Sequence, residues 1–197
     1  MARKKQLTVP YRRKGSGNTN YKKRRLLLLA GKPRLVIRLS LKNVMCVVAE
    51  YSAEGDKMML STHSRELKKY GWQLNANNTS GAYLTGLLMG VKIKGKKLEN
   101  LVVDLGLHPC IKGSKITAVI KGIVDAGITL EVSKEILPPE ERIKGEHIAR
   151  FAESLKKDET MYNKQFSDYI KKNIDPVNIT TYFEQTKNKI MKGTQNA

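Results

Sequence analysis

The chain has 197 residues, with 37 Lys or Arg against 18 Asp or Glu and a formal net charge of +19. Such a surplus repels itself until an anionic partner neutralises it, which points to nucleic acid or an acidic membrane surface. No apolar run approaches the roughly 20 residues that a membrane-spanning helix needs, and the Leu26–Ala30 run is too short even for a secretory signal, so neither a spanning nor an exported protein is expected. Two isolated cysteines, Cys46 and Cys110, form no metal-type pair and suit a reducing compartment, and a cytoplasmic protein is expected.

Charge divides the chain before any pattern does. Residues 1–49 carry 14 Lys or Arg, and the first acidic residue is Glu50. Residues 1–33 combine that charge with Pro10, Gly15, Gly17, Asn18 and Asn20 and few apolar residues before Leu26. This composition predicts an extended, basic RNA-binding arm that orders on a partner, with a short helix from Lys22 to Ala30. Residues 34–62 read as a three-stranded antiparallel meander: Leu35, Ile37 and Leu39 alternate with Val36 and Arg38, and Lys42-Asn43 and Gly55-Asp56 supply the turns. A helical piece follows around Ser64–Lys69.

From Thr79 the period becomes helical, with Leu84, Leu87, Leu88 and Val91 at i, i+3, i+4 and i+7. Gly81, Ala82, Gly86 and Gly90 keep the other faces small, so this helix is expected to lie close to a sheet or to RNA. Leu101–Leu105 reads as a buried strand. A second helix carries Ile116, Val119, Ile120, Ile123 and Val124 on one face, and Ile128–Val132 suggests a closing strand. The order predicts an α/β core over residues 34–134, a mixed sheet with an antiparallel meander and packed helices. Pro138-Pro139 then breaks the chain. Residues 135–197 hold three short helical patterns with nearly balanced charge, a helical C-terminal extension whose Phe151, Phe166, Tyr182 and Phe183 call for burial.

Enzyme chemistry finds little support. His63, His108 and His147 are scattered, and no Gly-x-Ser-x-Gly elbow surrounds a serine. Gly90–Lys97 resembles a phosphate-binding loop but places Lys97 where Ser or Thr would hold magnesium, and it follows a helix rather than a strand. Asp104 and Asp125 could hold a metal only in a larger acidic cluster that the sequence lacks; each is read as a turn or loop residue. No cofactor, metal or small-molecule substrate is expected, and the protein is not read as an enzyme.

RNA chemistry is better represented. Tyr11 and Tyr21 are interleaved with Arg12, Arg13, Lys14, Lys22, Lys23, Arg24 and Arg25, pairing phosphate neutralisers with rings that stack on unpaired bases. Irregular RNA, with its loops and bulges, rewards such an adaptable arm, and no helix-turn-helix or zinc spacing argues for DNA. Lys112-Gly113-Ser114-Lys115 is a second basic cluster whose glycine lets backbone amides approach phosphate.

Several stretches, in order, carry a resemblance: Val9–Leu26 (VPYRRKGSGNTNYKKRRL), Pro33–Arg38, Glu66–Trp72, Asn78–Leu88, Val119–Gly127, His147–Phe151 and Phe166–Lys171. They resemble the large-subunit ribosomal protein family that binds 5S rRNA, protein eighteen in archaeal naming and five in eukaryotic naming. The extension is similar to the archaeal–eukaryotic form. The resemblance implies a ribonuclease-H-like layout without catalytic carboxylates. It also implies a structural role at the central protuberance, attaching 5S rRNA to the large subunit and touching large-subunit rRNA and neighbouring ribosomal proteins. By position it implies RNA contacts at Tyr11, Arg12, Arg13, Lys14, Thr19, Asn20, Tyr21, Arg24 and Arg25, and at Arg34, Arg38, Asn43 and Tyr83. The chain departs at Gly15-Ser16-Gly17, where eukaryotic members carry more charge. A non-ribosomal RNA-binding protein or RNA chaperone is the alternative.

Overall fold

The computed structural model describes residues 9–193. Three strands form the expected meander: β1 (Arg34–Leu39), β2 (Val44–Glu50) and β3 (Lys57–His63). β1 pairs antiparallel with β2, and β2 with β3, with one bulge at Val48/Ala49. A fourth strand, β4 (Val102–Asp104), pairs parallel to β1, giving the order β3-β2-β1-β4. The fold is therefore α/β with a mixed four-stranded sheet, as the residue pattern predicts. Alternation decides which face is which: Leu35, Ile37, Val44, Cys46 and Val48 point inward and are fully buried, while Arg34, Val36 and Arg38 take the other face.

The parallel pairing of β4 with β1 requires a crossover, and α3 (Thr79–Gly95) supplies it. Asn78 caps this helix by accepting from the Gly81 N–H at 2.7 Å. α3 is buried on nearly every side between the sheet and α4 (Lys115–Asp125). Gly86 and Gly90 lie against the second helix, while Gly81 lies against the Ala76 backbone. A Cβ at Gly86 would stand 2.1 Å from the Val119 carbonyl oxygen, and one at Gly122 would stand 2.2 Å from that of Tyr83. The two backbones thus cross where neither helix has a side chain.

The closing strand expected at Ile128–Val132 does not form. Ile128, Leu130 and Val132 alternate as half-buried residues with exposed Thr129 and Glu131, yet the segment joins no ladder. Beyond Pro138-Pro139 the helices are α5 (Glu140–Lys144), α6 (Glu146–Leu155), α7 (Glu159–Gln165), α8 (Ser167–Ile170) and α9 (Ile179–Lys192). The pattern carrying Ile143 and Phe151 is two helices, because Gly145 adopts a φ of +85° between them. α5 and α9 pack on α3. Phe166 and Phe183 are buried and Tyr182 half-buried, but Phe151 stays 49% exposed, one face against Phe166.

Candidate nucleic-acid interface

The described part of the arm is not extended. Residues Arg12–Gly15 form a single turn, α1. The Gly17 φ of +69° then returns the chain so that the Asn18 and Thr19 N–H groups both donate to the Arg13 carbonyl oxygen. The Arg13 guanidinium Nε donates to Thr19 Oγ1 at 3.0 Å. Asn20 caps α2 (Tyr21–Leu29) by accepting from the Lys23 N–H. The Tyr21 ring leans on Tyr11, centroids 5.2 Å apart, and Tyr11 is 73% exposed.

α2 is amphipathic in position rather than in polarity. Leu27 and Leu28 are half-buried, and i, i+4 spacing places Lys23 and Arg24 on that inward side. Lys22, Arg25, Leu26 and Leu29 form the exposed side. The inward cations are engaged: the Lys23 ammonium donates to the Gly106 carbonyl oxygen at 3.1 Å, and Arg24 grips Asp56 with 3.1 and 3.0 Å contacts.

Asp56 is the first link of a charge relay across the outer face of the sheet. It also pairs with Arg34 at 2.7 Å; Arg34 meets Asp104 at 3.3 Å, and Asp104 meets Arg38 at 3.2 Å. The Arg38 guanidinium donates as well to the Ile37 and Asp104 carbonyl oxygens, and Asp104 accepts from the Gly106 N–H. Burial pushes the Asp56 carboxyl up, but hydrogen bonds and charge from Arg34 and Arg24 outweigh it and hold the group below the usual carboxylate range. Asp104 is thus no loop residue facing solvent; it is a buried counter-ion.

Between arm and sheet lies a crevice of about 210 Å³. It brings together Arg13, Thr19, Asn20, Lys23, Arg24 and Arg38, all named from the sequence, with Asn18 and His108, which were not. Tyr11, Arg12, Lys14, Lys22 and Arg25 stand exposed elsewhere on the arm. For His108, which reaches the crevice only through β4 pairing with β1, the sequence held no signal.

Two of the residues expected to contact RNA are buried. Arg34 is 2% exposed and Tyr83 2% exposed. Arg34 faces Asp56 and Asp104, and the Tyr83 hydroxyl donates to Asp125 at 2.8 Å while its ring packs on Phe183. Alternation put Arg34 on the outer face, where the acidic partners and the arm cover it, and Tyr83 sits where α3 meets α4 and α9. Asn43 is half-buried in the β1–β2 turn, its Oδ1 accepting from the Ser64 hydroxyl. Lys112 is exposed; Lys115 is half-buried and donates to Asn77 Oδ1 at 3.1 Å.

The Gly90–Lys97 stretch forms the end of α3 and the turn after it, with no strand-to-helix phosphate loop. Among the described residues no group of three or more His, Cys, Asp or Glu is arranged to hold a metal ion, and no helix is long and apolar enough to cross a membrane.

Residues 5–101, from the arm to the start of β4, match the family of ribosomal large subunit proteins 60S L5 and 50S L18. The chain belongs to this family. A 60S L5/50S L18 protein is a structural constituent of the large ribosomal subunit, and rRNA and other subunit proteins are its partners. In this L18-family chain the matched span contains the whole relay except Asp104, and all crevice residues except those of the 104–108 loop.

Proposed function

We propose that the chain binds 5S rRNA through its arm and the adjoining end of the sheet. In this reading it attaches 5S rRNA to the large subunit at the central protuberance, touching large-subunit rRNA as well, in a cytoplasmic ribosome and without a catalytic step. The observation that carries the reading is the crevice, where the folded arm and the β4 loop converge cations and hydrogen-bonding side chains on one opening. Arg12, Arg13, Lys14, Lys22 and Arg25 neutralise phosphates around it, and Lys112 and Lys115 extend the basic surface along the loop. Tyr11 and Tyr21 stack on unpaired bases. Thr19, Asn20 and Asn43 offer polar contacts, while Arg24 and Arg38 act from positions fixed by Asp56 and Asp104. Arg34 and Tyr83 support the surface from within.

The test is 5S rRNA affinity across a salt series for the full chain, a chain lacking residues 1–25, and Tyr21→Ala. The deletion removes 10 Lys or Arg and is expected to flatten the salt dependence. Tyr21→Ala is expected to lose roughly 1–3 kcal/mol with little change in slope. An arm-deleted chain with unchanged affinity and slope would move the interface to the 112–115 loop. The full chain is expected to sediment with large subunits in low salt, as a free RNA chaperone would not.

A further inference from the structure

The sheet has two edges, and they are finished differently. Along β3 the edge is obstructed: the Lys92 ammonium donates to the Ser61 carbonyl oxygen at 2.9 Å, and exposed Lys57 opens the strand. Charged side chains of this kind keep edges from pairing with other chains. β4 stands at the opposite end of the strand order. Its Val102 N–H donates to the Pro33 carbonyl oxygen at 3.0 Å on the β1 side. Backbone groups alternate sides along a strand, so the Val103 N–H and C=O point away from β1. They open on a groove of about 1030 Å³. Across it runs the 128–132 segment, which has the alternation of a strand and no partner. One further strand, about 4.8 Å from its neighbour, is what such an edge accepts.

The groove's chemistry selects its occupant. Leu101, Val102, Val103, Ile128 and Val132 make it aliphatic, and no aromatic ring lines it. An unpaired base would find no stacking surface there. A peptide in strand conformation finds both a backbone edge and apolar seats for alternate side chains. Lys32, Lys94 and Lys97 at the rim make no ion pair among the described residues, and with Lys23 they outnumber Glu99 and Glu131. That imbalance favours acidic residues at the ends of the incoming segment.

We propose that the open edge of β4 receives an acidic-flanked, strand-forming segment of a neighbouring protein, added beside Val103 as a fifth strand. The partner is a protein, and the surface adjoins the arm crevice, sharing Lys23 with it.

The experiment uses the full chain and a synthetic nonapeptide of alternating Val and Thr with Asp and Glu at both ends. Hydrogen exchange at the Val103 amide and the anisotropy of labelled peptide are followed. The peptide is expected to slow Val103 exchange at least tenfold. Lysine ends in place of the acidic ones, or methylation of alternate peptide backbone nitrogens, is expected to weaken binding at least tenfold. The double variant Lys94→Glu/Lys97→Glu changes only exposed positions and is expected to reverse the preference for acidic ends. No protection of Val103 at millimolar peptide overturns the proposal, as does equal binding of the methylated peptide. Displacement of the peptide by a nine-nucleotide single-stranded RNA would assign the groove to RNA instead. None of these readouts depends on 5S rRNA affinity, so the two readings fail separately.

Discussion

The arm with its sheet face and the C-terminal extension solve opposite problems. In the first, cations far outnumber acids, and two aspartates hold three arginines in place: Asp56 fixes Arg24 and Arg34, and Asp104 fixes Arg34 and Arg38. The other described arm cations are exposed. In the second, 11 basic and 10 acidic residues nearly cancel over residues 135–197, and aromatic packing takes over. Phe166 gathers Tyr162, Tyr169 and Phe151 at centroid distances of 5.2, 5.9 and 6.3 Å, and Phe183 meets Tyr83 at 5.6 Å. One region is ordered by charge; the other is ordered by burial and bound to the core.

The largest expected effect comes from the second region. Phe183→Ala empties a fully buried site on α9 and is expected to cost about 3–5 kcal/mol in a urea or thermal unfolding measurement. The salt slope of RNA binding by the folded fraction is expected to stay unchanged. A changed slope would mean that the extension sets the arm's geometry, and the division drawn above would fall.

Asp104→Asn attacks the first region from inside. The amide keeps the shape but removes the charge between Arg34 and Arg38, and hydrogen bonds to charged groups contribute about 1.5–3 kcal/mol. Combined with Arg38→Ala the loss is expected to be non-additive, because the two changes remove one interaction. Combined with Phe183→Ala it is expected to add within about 0.5 kcal/mol, since the pair shares no partner. Urea unfolding of the four proteins in each cycle decides whether the regions are energetically separate.

Much of this was legible from residues alone. Alternation in Leu35–Leu39 and the Gly55-Asp56 turn gave the meander, and the helical period from Thr79 marked the start of α3. What the sequence left hidden were partnerships between distant segments. Arg34 and Tyr83 look like surface residues until β4 and α4 are brought against them. Nothing local distinguishes Asp104 as a counter-ion from an aspartate leaving a strand. Ile128–Val132 has the period of a strand, but a ladder needs a neighbour within reach, and periodicity does not supply one. In the arm, the glycines that suggest an extended chain instead permit the turn at Gly17 that returns Thr19 to Arg13.

The smallest effect is the most specific. Asp56 and Arg24 are both partly exposed, so Asp56→Asn is expected to change stability by no more than about 1 kcal/mol. Arg34 keeps Asp104 and is not left unpaired. The consequence falls on the arm. Because the folded Asp56 carboxyl lies below its usual range, its contribution is complete above the unfolded value of about 3.9 and is lost as pH falls through the lower folded value. Hydrogen-exchange protection of the α2 amides in the native chain is therefore expected to be flat from neutral pH to about 5 and to collapse only in stronger acid, whereas Asp56→Asn removes that acid step. The variant also frees Arg24 for one more phosphate, which steepens the salt slope of 5S rRNA binding by about 0.7–0.9. An unchanged slope together with an intact acid step would show that Asp56 does not hold Arg24, and that the inward leucines of α2 alone dock the arm.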